Sequence, residues 1–144
     1  MAAAVLDASL VALLGVVTVT DLRTRLVPDA ALAASLAIAL PACLLSDAGG
    51  MPERLLAGAG AAGFLLVAAL IRPDGMGLGD VKLAGVLGVY LGARVIEAMV
   101  AAFAAGSIAG LVLLVRHGLS ARGRTIPFAP FLAIGALIAI APQP

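Results

Sequence analysis

The sequence predicts an all-α, polytopic membrane protein with six transmembrane helices, on three observations. Of the 144 residues, 63% are hydrophobic and only 12% charged, with a mean hydropathy of +1.19. A soluble domain is about half apolar and about a quarter charged. The apolar residues also fall into runs separated by short polar breaks, and Lys and Arg collect in alternate breaks. A single membrane-embedded domain over residues 1–144 follows, with no room for a separate soluble one.

Each run is justified by what bounds it. The first, about Ala4 to Thr20, is long enough for a thin crossing. Arg23 and Arg25 stop it, and Asp7 is expected near its outer end, at headgroup level. Pro28 suits a first helical turn and Asp29 adds the negative charge favoured there, so a second span runs from about Ala30 to Leu45 with Pro41 inside it. Gly49, Gly50 and Pro52 mark the next break. The third span, about Leu55 to Ile71, carries Gly58, Gly60 and Gly63 among alanines, which permits the close helix contact that drives association in lipid. After Arg72 and Pro73 comes the glycine-rich stretch GMGLGDVK, Gly75 to Lys82, read as a loop running into Asp80. A short fourth span, about Val81 to Leu91, follows. The fifth is about Val95 to Val115, and the sixth about Phe128 to Ala141 after a basic break at Arg116 to Arg124. Gly88 with Gly92 and Gly106 with Gly110 form GxxxG pairs, read as packing signals only, and Gly88→Ala is expected to be mild.

Basic residues set the orientation. Arg23, Arg25, Arg72, Lys82, Arg116, Arg122 and Arg124, seven of the nine, fall in the breaks after spans one, three and five, and only Arg54 and Arg94 fall on the other side. The odd breaks are therefore expected in the cytoplasm and both termini outside. The same bias makes the short fourth span a crossing, because otherwise the basic break at Arg116 to Arg124 would lie outside. The first basic residue is Arg23, so no basic n-region of a cleaved signal peptide is present.

Composition also excludes. The net charge is +1 with no basic tract, so no nucleic-acid partner is expected. Cys43 is the sole cysteine and lies in an apolar run, which excludes an internal disulfide and any zinc pattern and leaves it a small buried hydrophobe. The one histidine, His117, falls in the basic break, so neither a metal site nor a cofactor is expected. Ser107 and Cys43 sit within spans with no histidine base, which removes the usual nucleophiles.

Two acids remain. Asp21 closes span one and Asp80 opens span four, so both are expected at one membrane depth on the cytoplasmic side. Ionisable groups in such a place are functional suspects. If the helices bring them together, two close carboxylates resist double ionisation and the pair retains a proton. That is the working state of an aspartic protease, in which the ionised acid takes a proton from water and the protonated acid supports the carbonyl oxygen. The alternative from spacing alone is two unrelated boundary acids, each hydrated beside an Arg or Lys.

Three segments carry a resemblance. GMGLGDVK resembles the GxGD signature of membrane aspartyl proteases in the form of the type IV prepilin peptidases, with Lys82 two after the acid. DLRTRLVPD, Asp21 to Asp29, resembles that family's first catalytic segment, although Asp29 stands where Asn is usual. TIPFAPFLAIG, Thr125 to Gly135, resembles its late segment, with Ala129 where Gly is usual. The resemblance implies the GxGD protease fold, catalytic roles for Asp21 and Asp80, and an active-site loop of Gly75, Gly77, Gly79 and Lys82. It makes Pro28, Pro127 and Pro130 supporting motif residues. It further implies a bacterial inner-membrane endopeptidase, with its site facing the cytoplasm, that cleaves the short basic leader from prepilin or pseudopilin substrates bearing a hydrophobic helix. Longer family members carry an N-terminal segment with paired CxxC cysteines and also methylate the new N-terminus. This chain shows neither, and so resembles the peptidase-only form serving tight-adherence pili, without expected N-methyltransferase activity. A preflagellin-type GxGD peptidase, or a non-enzymatic transporter or assembly subunit, are the other readings. No acid in the middle of a span and no repeat between halves supports the transporter.

Overall fold

The structure is a computed structural model and describes residues 1–123 and 126–141. Arg124, expected in the basic break, and Thr125, the first residue of the late motif, lie outside the described residues. Six α-helices follow one another: α1 (Ala2–Thr24), α2 (Asp29–Ser46), α3 (Met51–Ile71), α4 (Leu78–Leu91), α5 (Val95–His117) and α6 (Ala129–Ile140). Short 3₁₀ turns cover Gly92–Arg94 and Gly118–Gly123, and no strand occurs among the described residues. By length and apolarity, four stretches suffice to cross a membrane: α1, α2, α3 and the run Leu78–Ser120 that holds α4 and α5. α6 is apolar but only 12 residues long.

That long run is two helices because the chain reverses at Gly92, which takes φ 60°, a backbone suited to glycine. The reversal is pinned from outside. Arg54, at the start of α3, donates to the carbonyls of Val89 and Tyr90 at 3.2 and 2.6 Å, and Glu53 accepts from the Ala93 N–H at 3.3 Å. The last turn of a helix leaves carbonyls without intrahelical partners, and here a guanidinium takes them. α3 and α4 are therefore antiparallel, while contacts such as Phe64 with Phe103 run α5 alongside α3.

Small residues set the helix spacing. A Cβ on Gly88 would overlap the backbone of Gly58 and Ala57, and one on Gly135 would overlap the Ala98 carbonyl. Gly58 in turn would meet the Gly85 carbonyl at 2.7 Å. The mild effect expected of Gly88→Ala is thus corrected: α3 and α4 meet backbone to backbone at Gly58 and Gly88, with no space for a methyl. Gly60, Gly63 and Gly110 have open space around them, so the glycine-rich pattern overstates how many contacts need glycine. α5 and α6 are held by aromatic rings as well. All four phenylalanines form one row, Phe64 to Phe103 to Phe128 to Phe131, with centroids 6.0, 5.2 and 6.2 Å apart, and Gly106 receives the rings of Phe128 and Phe131.

α1 packs chiefly on α2 and α6, and α4 on α3, α2 and α6. The buried core follows from this arrangement: Leu10, Leu13, Leu14 and Val17 from α1, Leu65 from α3, Leu83 and Leu87 from α4, and Leu132 from α6. Cys43 is fully buried among them, as expected of a small hydrophobe. Asp7 is exposed. Many of the larger aliphatic side chains, among them Val16, Leu56, Leu70, Leu111 and Ile138, point outward, as a chain dissolved in lipid requires.

Candidate active site

The first catalytic candidate lies one turn further inside a helix than expected. α1 does not end at Thr20 but continues to Thr24, so Asp21 is in its last turn. Arg25 then closes the helix in the left-handed conformation, φ 56° and ψ 31°, with its N–H on the Asp21 carbonyl at 2.8 Å. Gly or Asn usually fills this capping position, and a larger L-residue there costs about 1 kcal/mol or more. Arg25 is the sole non-glycine residue at positive φ among the described residues. Its guanidinium charge acts on the Asp21 carboxylate. Val27 and Pro28 are extended or turn residues before α2, as a residue preceding proline favours.

The second candidate enters through the glycine stretch. The loop is shorter than the sequence suggested: α4 begins at Leu78, so Gly79 and Asp80 belong to its first turn and only residues up to Gly77 lie outside. Gly77 is the N-cap, in an ordinary extended conformation (φ −81°, ψ 151°), and its carbonyl accepts the Asp80 N–H at 3.1 Å. Asp80, third in the helix, turns its carboxyl back toward the Gly77 backbone N–H. The third helical position is the one an acid takes in a capping box. None of Gly75, Gly77 and Gly79 has a positive φ, so the stretch does not need glycine for its backbone angles. Gly79 is needed for proximity: a Cβ there would lie 2.8 Å from Val27 Cβ, whereas one on Gly77 would meet nothing closer than 3.9 Å.

Asp21 and Asp80 are the two buried acids among the described residues, at 5% and 8% exposure. They line one cavity of about 420 Å³ and lie close enough that the charge of one acts on the other. Oδ2 of Asp21 is fully buried and has no hydrogen-bond partner among the described residues. A buried carboxylate oxygen left without a donor is costly. The rest of the wall includes Gly75, Gly77, Gly79, Lys82 and Pro127. Of the other sequence candidates, Pro28 caps the start of α2 and Pro130 sits in the first turn of α6, and neither lines the cavity.

The late segment closes the cavity from a third side. Ile126, Pro127 and Phe128 line it, and the Ala129 backbone N–H faces the Asp21 carboxyl. Asp29, read from the sequence as a helix start and as a departure from the family's usual Asn, also lines it: Lys82 Nζ bridges both Asp29 carboxylate oxygens at 2.9 Å. Both partners are largely exposed, so this ion pair joins the start of α2 to the first turn of α4 at the cavity mouth and contributes little energy. Sequence reasoning missed Arg25, Val27 and Phe128. Arg25 carried the one available signal, a cation four residues after a boundary acid. A hollow of similar size between α3 and α5, about 460 Å³, is lined by apolar residues alone and holds no titratable group. No cluster of metal-binding side chains occurs among the described residues.

Two buried carboxyls share this cavity, with a backbone N–H and a cation near one of them, an arrangement chemically capable of acid–base chemistry on a group larger than water. Comparison with known proteins agrees. Residues 8–115 match the type IV leader peptidase family. The chain is also 34% identical, over 132 residues and 90% of its length, to the prepilin leader peptidase/N-methyltransferase of Bacillus subtilis (strain 168). It spans about half of that relative, 52% of its length. No solved structure matches it. On the extent of the family match, this chain belongs to the type IV leader peptidase family.

Proposed function

We propose that this chain is a membrane aspartic endopeptidase that removes the short basic leader of prepilin-like proteins, with Asp21 and Asp80 as its catalytic pair. The observation that carries the reading is the convergence of the two buried acids, from the ends of two helices distant in sequence, on one cavity. The family match and the relative's activity support the choice of substrate.

In this reading one carboxyl is ionised and its neighbour protonated. The ionised one takes a proton from water as the water oxygen bonds to the scissile carbonyl carbon. The protonated one gives its proton to the carbonyl oxygen. Collapse of the tetrahedral intermediate then breaks the C–N bond, and the departing amine takes a proton from the pair. Asp21 is steadied for this role by the Ala129 N–H and Arg25, and Asp80 by the Gly77 N–H. The open glycine backbone at Gly75 and Gly77 gives an extended peptide hydrogen-bonding groups without side chains in the way.

The same reading has all six helices crossing the inner membrane as one domain, with the cavity at the cytoplasmic face and both termini outside. It rests on the skew of basic residues and on the antiparallel turn at Gly92. Co-expression with a candidate prepilin tests the function: leader removal appears as a mobility shift, and its absence with every prepilin offered refutes the reading. Cysteines introduced at Thr24, Gly75 and Ser120 test the orientation, since they react from the cytoplasmic side and one at Gly49 from outside.

A further inference from the structure

α1 and α4 carry the two acids but are not principal packing partners, because α1 packs chiefly on α2 and α6 and α4 chiefly on α3. The relation between Asp21 and Asp80 therefore depends on what ties these helices together. Among the described residues one side-chain hydrogen bond joins them directly, and it lies at the opposite end from the cavity. The Tyr90 hydroxyl, in the last turn of α4, is 3.0 Å from Ser9 Oγ of α1 and donates to the Ser35 carbonyl of α2 at 3.0 Å. A phenol has one proton. With that proton given to Ser35, the Tyr90 oxygen accepts from Ser9, whose single proton is shared with the Leu6 carbonyl of its own helix at 3.0 Å. Tyr90 is the single tyrosine of the chain, is 7% exposed, and is itself held by Arg54 on its backbone carbonyl.

This junction stands about 18 Å from Asp21 along α1 and about 15 Å from Asp80 along α4, at 1.5 Å per residue. We propose that Tyr90 is a positioning residue for the acid pair: by bonding α1 and α2 at once, it fixes the angle at which α1 and α4 diverge toward the cavity, and so the separation of Asp21 and Asp80. A small rotation at the pinned end becomes a displacement of the carboxyls at the free end. The surroundings suit such a pin. The flanking side chains Leu6, Leu10 and Leu13 of α1 and Leu87 of α4 are apolar and buried, so the competitor for the Ser9 proton is the Leu6 carbonyl of α1 itself, which ties nothing to α4. Ser46, by contrast, bonds only to carbonyls of its own helix, Ala42 and Cys43, and ties nothing together.

The proposal rests on the reading of Asp21 and Asp80 as the catalytic pair, and its test separates the two. One arm needs no activity. In a Cys43→Ala background, Asp21→Cys and Asp80→Cys are introduced together, and the rate of disulfide formation in membranes is followed by loss of maleimide labelling after denaturation. Adding Ser9→Ala or Tyr90→Phe should slow that rate by about threefold to twentyfold, the range for loss of a buried hydrogen bond in a membrane bundle. Adding Ser46→Ala should not. In the second arm, with both acids intact, Ser9→Ala and Tyr90→Phe should lower kcat for prepilin cleavage by a similar factor with KM unchanged. An unchanged cross-linking rate in both variants overturns the proposal, and so does a change in KM without one in kcat. Should Tyr90→Phe fail to accumulate, Ser9→Ala decides alone, because it removes the α1–α4 bond and leaves Tyr90 on Ser35. Failure of the unaltered chain to cleave any prepilin would refute the peptidase reading, while the cross-linking arm would still decide whether Tyr90 sets the approach of positions 21 and 80.

Discussion

At its C-terminal end, α4 has its terminal carbonyls taken by Arg54, its tyrosine hydroxyl shared between α1 and α2, and its following turn held by Glu53. At its N-terminal end, fourteen residues of helix away, it buries Asp80 in a cavity opposite Asp21, one of whose oxygens has no partner. In apolar surroundings both ends face the same demand, that a polar group find a partner or cost several kcal/mol. One end meets it with a dense set of bonds and the other leaves it open. The contrast shows where the chain spends its stability: the closed end fixes the helices, and the open end, in the proposed reading, keeps two acids free for a reacting group.

The largest expected effect breaks the open end. Asp21→Asn or Asp80→Asn should each lower leader removal by about 10⁴-fold or more, as loss of a catalytic group that works as part of a unit does. Neither should lower the thermal stability of the purified protein, since Asn keeps a carbonyl oxygen where the carboxyl faced the Ala129 or Gly77 N–H and removes any cost of a buried charge. Gly79→Val should come next, lowering activity sharply because its Cβ position is already filled by Val27, while Gly77→Val, which meets nothing in the protein and obstructs only the substrate, should lower it less. Equal loss in both would mean that the stretch serves the substrate rather than the contact with Val27.

Away from the junction of Tyr90 with Ser9 and Ser35, the closed end should respond in stability instead. Gly88→Ala should cost about 1–3 kcal/mol as an overpacked contact against Gly58, read as a lower midpoint of thermal aggregation in detergent. Arg54→Ala should cost about 1.5–3 kcal/mol, the value of hydrogen bonds from a charged donor. Its activity loss should not exceed the share of protein unfolded. The smallest effect belongs to the exposed pair at the cavity mouth: Lys82→Ala should change stability by no more than about 1 kcal/mol. A larger change would mean that the Lys82–Asp29 bridge, and not only the closed end, holds α4 in place.

The helices were readable from the sequence because each apolar run ends at Pro, Gly or Arg, and the two acids because they interrupt an apolar chain at run boundaries. Helix ends were harder to read. Asp21 and Asp80 were placed just outside their spans, yet both lie inside helices, because α1 runs on through Leu22 to Thr24 and α4 starts at Leu78. Hydropathy falls at the first charge, whereas a helix ends where its hydrogen bonds do. Glycine roles were equally hidden. Composition cannot tell Gly88, pressed on Gly58, from Gly60, where a Cβ would meet open space, since only the tertiary partner distinguishes them. Nor could spacing foresee that Ser9, Ser35 and Tyr90 meet, because each alone reads as a minor polar residue in an apolar span.

The most direct test of the central claim, that the two acids act as one site, is a double-mutant cycle on leader removal with Asp21→Asn, Asp80→Asn and both together. Acids that share one water fail as a unit, so the double variant should be no slower than the slower single variant. If the two losses multiply instead, or if either single variant cleaves at the full rate, Asp21 and Asp80 do not form the catalytic pair.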